Sequence, residues 1–125
     1  MKLQKLISKL EKHHKKKLDL SLGRTFNLLK KLGDPQDKLK NVITVVGTNA
    51  KASMCYSLKS ILNQAGHKTN LYTSPHLLSY TERYVFEDKE INEEDLIVLL
   101  TDVEKTLGDD NATLFEILTC AFIKH

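Results

Sequence analysis

The sequence predicts an α/β fold in which a basic helical arm precedes the opening of a parallel sheet. Three observations carry this reading. Val42-Ile43-Thr44-Val45-Val46 is a β-branched run of strand length with apolar residues on both faces, the pattern of a strand buried within a parallel sheet. A polar turn, Gly47 to Ser53, then leads into a helical pattern of Met54, Leu58, Ile61, Leu62 and Ala65 closed by Gly66, which opens a strand–helix–strand unit. Lys68 to Tyr72 is the only other convincing strand, and two parallel strands buried on both faces make an incomplete sheet, so the chain reads as a fragment. Residues 1–40 are expected to form the arm, and residues 41–125 a partial domain.

Within the arm, Leu3, Leu6, Ile7 and Leu10 fall on one helical stripe with the lysines elsewhere, as a helix docked on a core requires. Ser21 is placed to cap a second helix carrying Leu22, Phe26, Leu29 and Leu32, which Gly33 and the Asp34-Pro35 turn end. After the second strand, Tyr72 to Leu77 reads as a loop because Ser74 before a proline is biased to extended geometry. A further helix runs from an Asn92 cap over Leu96, Leu99, Leu100 and Val103 to near Gly108. Thr113-Leu114-Phe115-Glu116 fits a capping box for a final apolar helix through Ile117, Leu118, Ala121, Phe122 and Ile123.

Composition excludes several classes. The chain has 125 residues, 41% hydrophobic and 28% charged, with two prolines, which is neither disordered nor collagenous. Its longest aliphatic run, Leu96 to Leu100, is far short of the roughly 20 residues of a membrane helix, and no signal peptide is visible, so the expected setting is cytoplasmic. Cys55 and Cys120 lie in apolar-periodic stretches, as reduced buried thiols do. Residues 1–40 hold 12 Lys/Arg against 4 Asp/Glu, and the remainder 7 against 12. The run Lys12, His13, His14, Lys15, Lys16 and Lys17 lacks the aromatic residues that stack on bases, so it reads as a solvated helix face and no nucleic-acid partner is expected. No membrane partner is expected either.

The turn after the first strand carries the chemistry. A loop between a buried strand and a helix start aims backbone N–H groups and the positive end of the helix dipole at one point, which suits phosphate. Lys51 adds a full charge and Ser53 a hydroxyl, two residues later where a standard phosphate-loop motif has one; that motif also wants a glycine at Val45. On spacing alone, an ordinary turn with a solvated lysine remains open.

Gly47-Thr48-Asn49-Ala50-Lys51-Ala52-Ser53 resembles the GTNGKGS loop of folylpolyglutamate synthase and dihydrofolate synthase, in the Mur ligase superfamily. Asp19-Leu20-Ser21-Leu22-Gly23-Arg24 resembles the family's DLGLER segment. Leu71-Tyr72-Thr73-Ser74-Pro75-His76-Leu77 resembles its LYTSPHL segment, Glu82-Arg83 its ER pair, and Thr113 to Thr119 its TxFE(I/V)LT helix. The resemblance runs over essentially the whole chain but over only the first third or so of such an enzyme.

It implies an ATP-dependent ligase that phosphorylates a carboxylate of dihydropteroate or a folate and lets the amine of L-glutamate displace the phosphate. Gly47, Thr48, Asn49, Ala50, Lys51, Ala52 and Ser53 would bind ATP, with Lys51 the catalytic cation. Ser53 would lie near a first Mg²⁺, Ser74 and Glu116 would be ligands of a second, and His76 and Arg83 would lie at the pterin or folate site. Each has a plainer reading: Glu116 as a capping residue, Ser74 as a turn cap, His76 as a loop histidine, Arg83 as an ion-pair partner. Ala50 and Ala52 stand where the family has glycine, which costs about 1 kcal/mol at any position needing a positive φ. The family's second acidic motif, magnesium histidine, modified lysine and glutamate-binding domain are absent, so the reaction is expected to need the missing C-terminal portion. The alternative is a truncated or decayed remnant that binds nucleotide or folate without catalysis.

Overall fold

The computed structural model describes residues 2–14 and 20–125. Lys15, Lys16, Lys17 and Asp19 therefore lie outside the described residues. The chain divides into two compact units, Met1–Lys40 with Glu93–His125, and Asn41–Asn92. The arm anticipated at 1–40 thus has its partners at the far end of the chain.

The first unit is helical. Helices α1 (Lys2–Leu10), α2 (Gly23–Lys31), α4 (Glu93–Leu107) and α5 (Leu114–Lys124) form it, with α4 packed on α1 and α5, and α2 on α4 and α5. Leu3, Ile7 and Leu10 enter the core from α1, where they meet the apolar stripe Leu96, Leu100, Val103 and Leu107 of α4. Ile117, Leu118, Cys120 and Ala121 of α5 complete it. The spacing expectation holds for these three helices. For α2 it holds only in part: Leu28 and Leu29 are the buried pair, while Leu22 caps the helix without a side-chain bond and Phe26 is 60% exposed. The inward direction of α2 is set by Arg24, whose ion pair with α5 (below) rotates Phe26 outward. Burial and the nearby charge of Glu116 push the Cys120 thiol up to about 12, so this cysteine is an inert core residue. Cys55 is only half-buried.

The second unit is mixed. Helix α3 (Lys51–Gln64) is followed by a small sheet of β1 (Leu71–Tyr72), β2 (Tyr84–Phe86) and β3 (Lys89–Glu90). Order is β1-β2-β3 and both pairings are antiparallel, Leu71 opposite Val85 and Val85 opposite Glu90. The α/β class stands, but the expected parallel pairing is not made among the described residues. Val42 to Val46 joins no strand, and Val42, Ile43 and Val46 are exposed, Val46 to 84%. A strand apolar on both faces is held by neighbours on both edges, and the described residues give it none. Helix α3 has the predicted length and stop, Gly66 at φ +85, but no fully buried side chain.

Among the described residues, no helix is long and apolar enough to cross a membrane. Part of the basic run has a structural role. His13 Nε2 lies 3.0 Å and Lys9 Nζ 2.9 Å from the buried carboxylate of Glu104, clamping the first helix and its trailing turn to α4. Burial pushes the Glu104 carboxyl up, but the bonds from His13 and Lys9 outweigh it and leave the group below its ordinary value. A depressed carboxylate stabilises the fold above its unfolded pKa and loses that contribution as pH falls through the folded one. Glu104→Gln should cost about 1–2 kcal/mol near neutrality. Urea unfolding at pH 7 and in acid checks it: the loss should shrink as the pH drops below the ordinary carboxylate range.

Candidate functional site

The turn Gly47–Lys51 is built by backbone geometry that most side chains resist. Gly47 has φ +154, and Ala50, the N-cap of α3, sits in the left-handed region at φ 59, ψ 16. Of the two alanines replacing glycine, Ala50 is therefore the strained one, while Ala52 lies inside the helix. No side chain caps α3; its ladder begins with Met54 N–H donating to Ala50 O at 3.0 Å. The N–H groups of Lys51, Ala52 and Ser53 precede that first bond and are left for another acceptor. By contrast, α5 closes its own start: Thr113 Oγ1 accepts from Glu116 N–H at 3.2 Å, and Thr113 N–H donates to Glu116 Oε2 at 2.7 Å. Lys51, half-buried, meets no carboxylate among the described residues.

A second cluster forms at the loop after β1. Thr73 N–H donates to Arg83 O at 3.2 Å, continuing the β1–β2 ladder, and the Ser74–Pro75 bond is cis. Arg83 Nη1 donates to Ser74 Oγ at 3.1 Å and Arg83 Nε to His76 Nδ1 at 2.9 Å. The Arg83 guanidinium lies 5.3 Å from the Tyr80 ring centroid, and the His76 ring stacks 4.2 Å from the same ring. Glu82 fixes the loop's far side: its carboxylate accepts from the N–H groups of Leu77 at 2.8 Å, Leu78 at 2.7 Å and Ser79 at 2.7 Å. Those three bonds hold its pKa below the ordinary value. Burial and the adjacent Arg83 charge depress the His76 pKa, against a smaller pull upward from Glu82. Since arginine always donates, Nδ1 is an acceptor and the His76 proton sits on Nε2.

Sequence reasoning placed Ser74 among the magnesium ligands and His76 and Arg83 at the substrate site, and the structure brings all three into contact through Arg83. It did not foresee Glu82 or Tyr80 as parts of that cluster; the signal available was the capping spacing from Ser79 to Glu82, which is realised.

Glu116 belongs to the other unit. Its side chain is buried and both oxygens are committed: Arg24 Nη2 lies 2.8 Å from Oε1, and Arg24 Nε 3.1 Å from Oε2, which also takes Thr113 N–H. A divalent cation there would have to share the carboxylate with a guanidinium. The arrangement does not fit the metal-ligand role expected for Glu116; it fits the capping role, reinforced by an ion pair that pins α2 to α5. Ser53 and Ser74 fit better. The Ser53 hydroxyl bonds to nothing among the described residues, and Ser74 Oγ accepts one bond and keeps a lone pair, both hard oxygen donors of the kind magnesium takes.

The glycine-led turn into a helix, the small sheet and the helical unit built from the two ends of the chain match, as a class, the α/β fold of solved Mur-ligase-type synthases. Within that class, the chain resembles the dihydrofolate synthase/folylpolyglutamate synthases in both sequence and structure. It is 39% identical over 110 residues to the dihydrofolate synthase/folylpolyglutamate synthase of Escherichia coli K12, covering 88% of this chain and 26% of that protein. The solved structure of E. coli FolC in complex with DHPP and ADP superposes with a TM-score of 0.88 at 37% identity, over 98% of this chain and 29% of that one. The bifunctional synthase of Yersinia pestis complexed with AMPPNP and Mn gives 0.87 at 33% identity, over 97% of this chain and 29% of that one. No family model matches. The chain spans about a quarter of the length of the curated relatives it matches.

The ion-pair reading of Glu116 is testable without any ligand. Glu116→Gln should destabilise the chain by about 2–4 kcal/mol, and Arg24→Ala combined with it should cost far less than the sum of the two. Thermal unfolding of the single and double variants checks this; a Glu116→Gln variant as stable as the parent chain would return Glu116 to the candidate ligands.

Proposed function

We propose that this chain forms the nucleotide-phosphate site and part of the acyl-substrate site of an ATP-dependent ligase adding L-glutamate to dihydropteroate or a reduced folate in the cytoplasm. The observation that carries it is the start of α3: a left-handed entry, and, among the described residues, three N–H groups without acceptors and a Lys51 without a carboxylate partner. Similarity to proteins solved with ADP, AMPPNP and Mn supports the same ligand class here.

Thr48, Asn49, Ala50 and Lys51 line the ATP phosphates through backbone N–H groups and the ammonium, and Gly47, Ala52 and Ser53 complete the loop. Ser53 would lie near one magnesium ion and the Ser74 hydroxyl would be a ligand of a second, and magnesium so held would supply charge neutralisation for the phosphates. Lys51 contributes fixed positive charge where negative charge gathers on the transferring group, and the helix dipole adds to it at no cost in reorganisation. His76 and Arg83 face the pterin or folate. Binding of L-glutamate and completion of the reaction draw on the portion of such an enzyme that this chain does not span.

A second reading, a remnant that binds nucleotide weakly and does no chemistry, is favoured by one observation, the left-handed Ala50. Its Cβ strains the loop.

Calorimetric titration of the chain with MgATP tests both. Lys51→Ala should weaken binding about tenfold or more, and Ala50→Gly should strengthen it while raising stability by about 1 kcal/mol. Binding unchanged by Lys51→Ala would overturn the phosphate-site reading. Binding that appears only with Ala50→Gly would favour the remnant.

A further inference from the structure

The chain handles its shielded cations in two ways. Of the lysines and arginines among the described residues that are not exposed, Arg24 meets Glu116, Lys59 meets Asp88 and Lys124 meets Asp102. Lys51 and Arg83 meet no carboxylate. Lys51 is half-buried at the start of α3, whereas Arg83 is more deeply buried, at 9% exposure.

A buried charge is expensive unless an opposite charge or several strong hydrogen bonds replace its water. Arg83 receives only neutral compensation: the Ser74 hydroxyl, the His76 ring nitrogen and the face of Tyr80. The neighbouring carboxylate of Glu82 is spent on the N–H groups of Leu77, Leu78 and Ser79. The partners therefore orient the guanidinium without neutralising it. Its Nη2 makes no hydrogen bond among the described residues and is not sealed from solvent. His76 Nε2–H, whose proton Arg83 fixes by occupying Nδ1, likewise has no partner among the described residues.

We propose that Ser74, His76 and Arg83 form an oxyanion-recognition site, in which Arg83 supplies the charge and His76 Nε2–H a second donor for a carboxylate or phosphate oxygen of the ligand. It rests on the reading above in taking this loop as part of the substrate site, and it names what the loop recognises: the anionic reacting group, not the uncharged pterin ring. The neutral tautomer of His76 gives the site selectivity, since it offers a donor and no acceptor. Arg83 thus acts twice, on the ligand directly and through His76 as a positioning residue.

The test is a titration of the isotope-labelled full chain, following the Arg83 Nε–H resonance by NMR. Inorganic phosphate and benzoate are added in separate experiments, each with the wild-type chain and with Lys51→Ala, which removes phosphate binding at the other loop. The Arg83 resonance should shift saturably with at least one probe in both chains; a response to phosphate alone assigns a phosphate oxygen, and one to benzoate alone a carboxylate. His76→Phe keeps a ring against Tyr80, removes the donor and should raise the half-saturating concentration about fivefold. An Arg83 resonance that neither probe moves overturns the proposal. If MgATP still shifts the amides of residues 48–53 in that sample, the nucleotide reading survives the loss; if the anions move Arg83 and MgATP moves nothing, the nucleotide reading fails and this one stands.

Discussion

The left-handed residue at the start of α3 is the constraint from which the candidate site follows. A chain leaving an extended segment must turn sharply to begin a helix, and here the turn is made at Gly47 and Ala50 without any side chain that caps the helix. Uncapped, the first N–H groups of α3 remain donors in search of an acceptor, and the helix dipole sums behind them. A residue with a side chain at Ala50 bears the strain of that geometry. The short helical turn Tyr80–Arg83 in the same unit is closed by a capping box at Ser79, so the open start of α3 stands apart.

Charge pairing sorts the remaining polar residues into scaffold and site. Glu104 with His13 and Lys9, and Glu116 with Arg24, join segments distant in sequence, and each sets a buried carboxylate against donors from a distant segment. These pairs fix helix packing and have little capacity left for a ligand. Arg83 is held by neutral acceptors and an aromatic face, and neither it nor Lys51 meets a carboxylate among the described residues. Both lie in the unit of residues 41–92, which carries the loops.

Much of the helical unit was legible because its signals are local. Leu3, Ile7 and Leu10 repeat at helical spacing, and Thr113 and Glu116 form a capping box that the structure realises in both directions. The direction of α2 was not legible, since Phe26 looks like a core residue until Arg24 is seen to claim Glu116, 92 positions away. The antiparallel pair β2–β3 was missed for a local reason. Its connection is Glu87-Asp88, both at positive φ, a conformation that sequence patterns assign to asparagine and glycine. Val42 to Val46 was read as a strand from composition, but pairing depends on neighbours that composition cannot supply. At the site, the capping role of Glu116 was legible, but its ion pair with Arg24 was not, because that partner lies 92 positions away.

Amide chemical shifts of the labelled chain on addition of MgATP measure directly whether the start of α3 is a phosphate site. Shifts confined to residues 48–53, with the Lys51, Ala52 and Ser53 amides moving most, are the predicted result. Amides there that stay in place at saturating MgATP, or shifts centred on the helical unit, would contradict it.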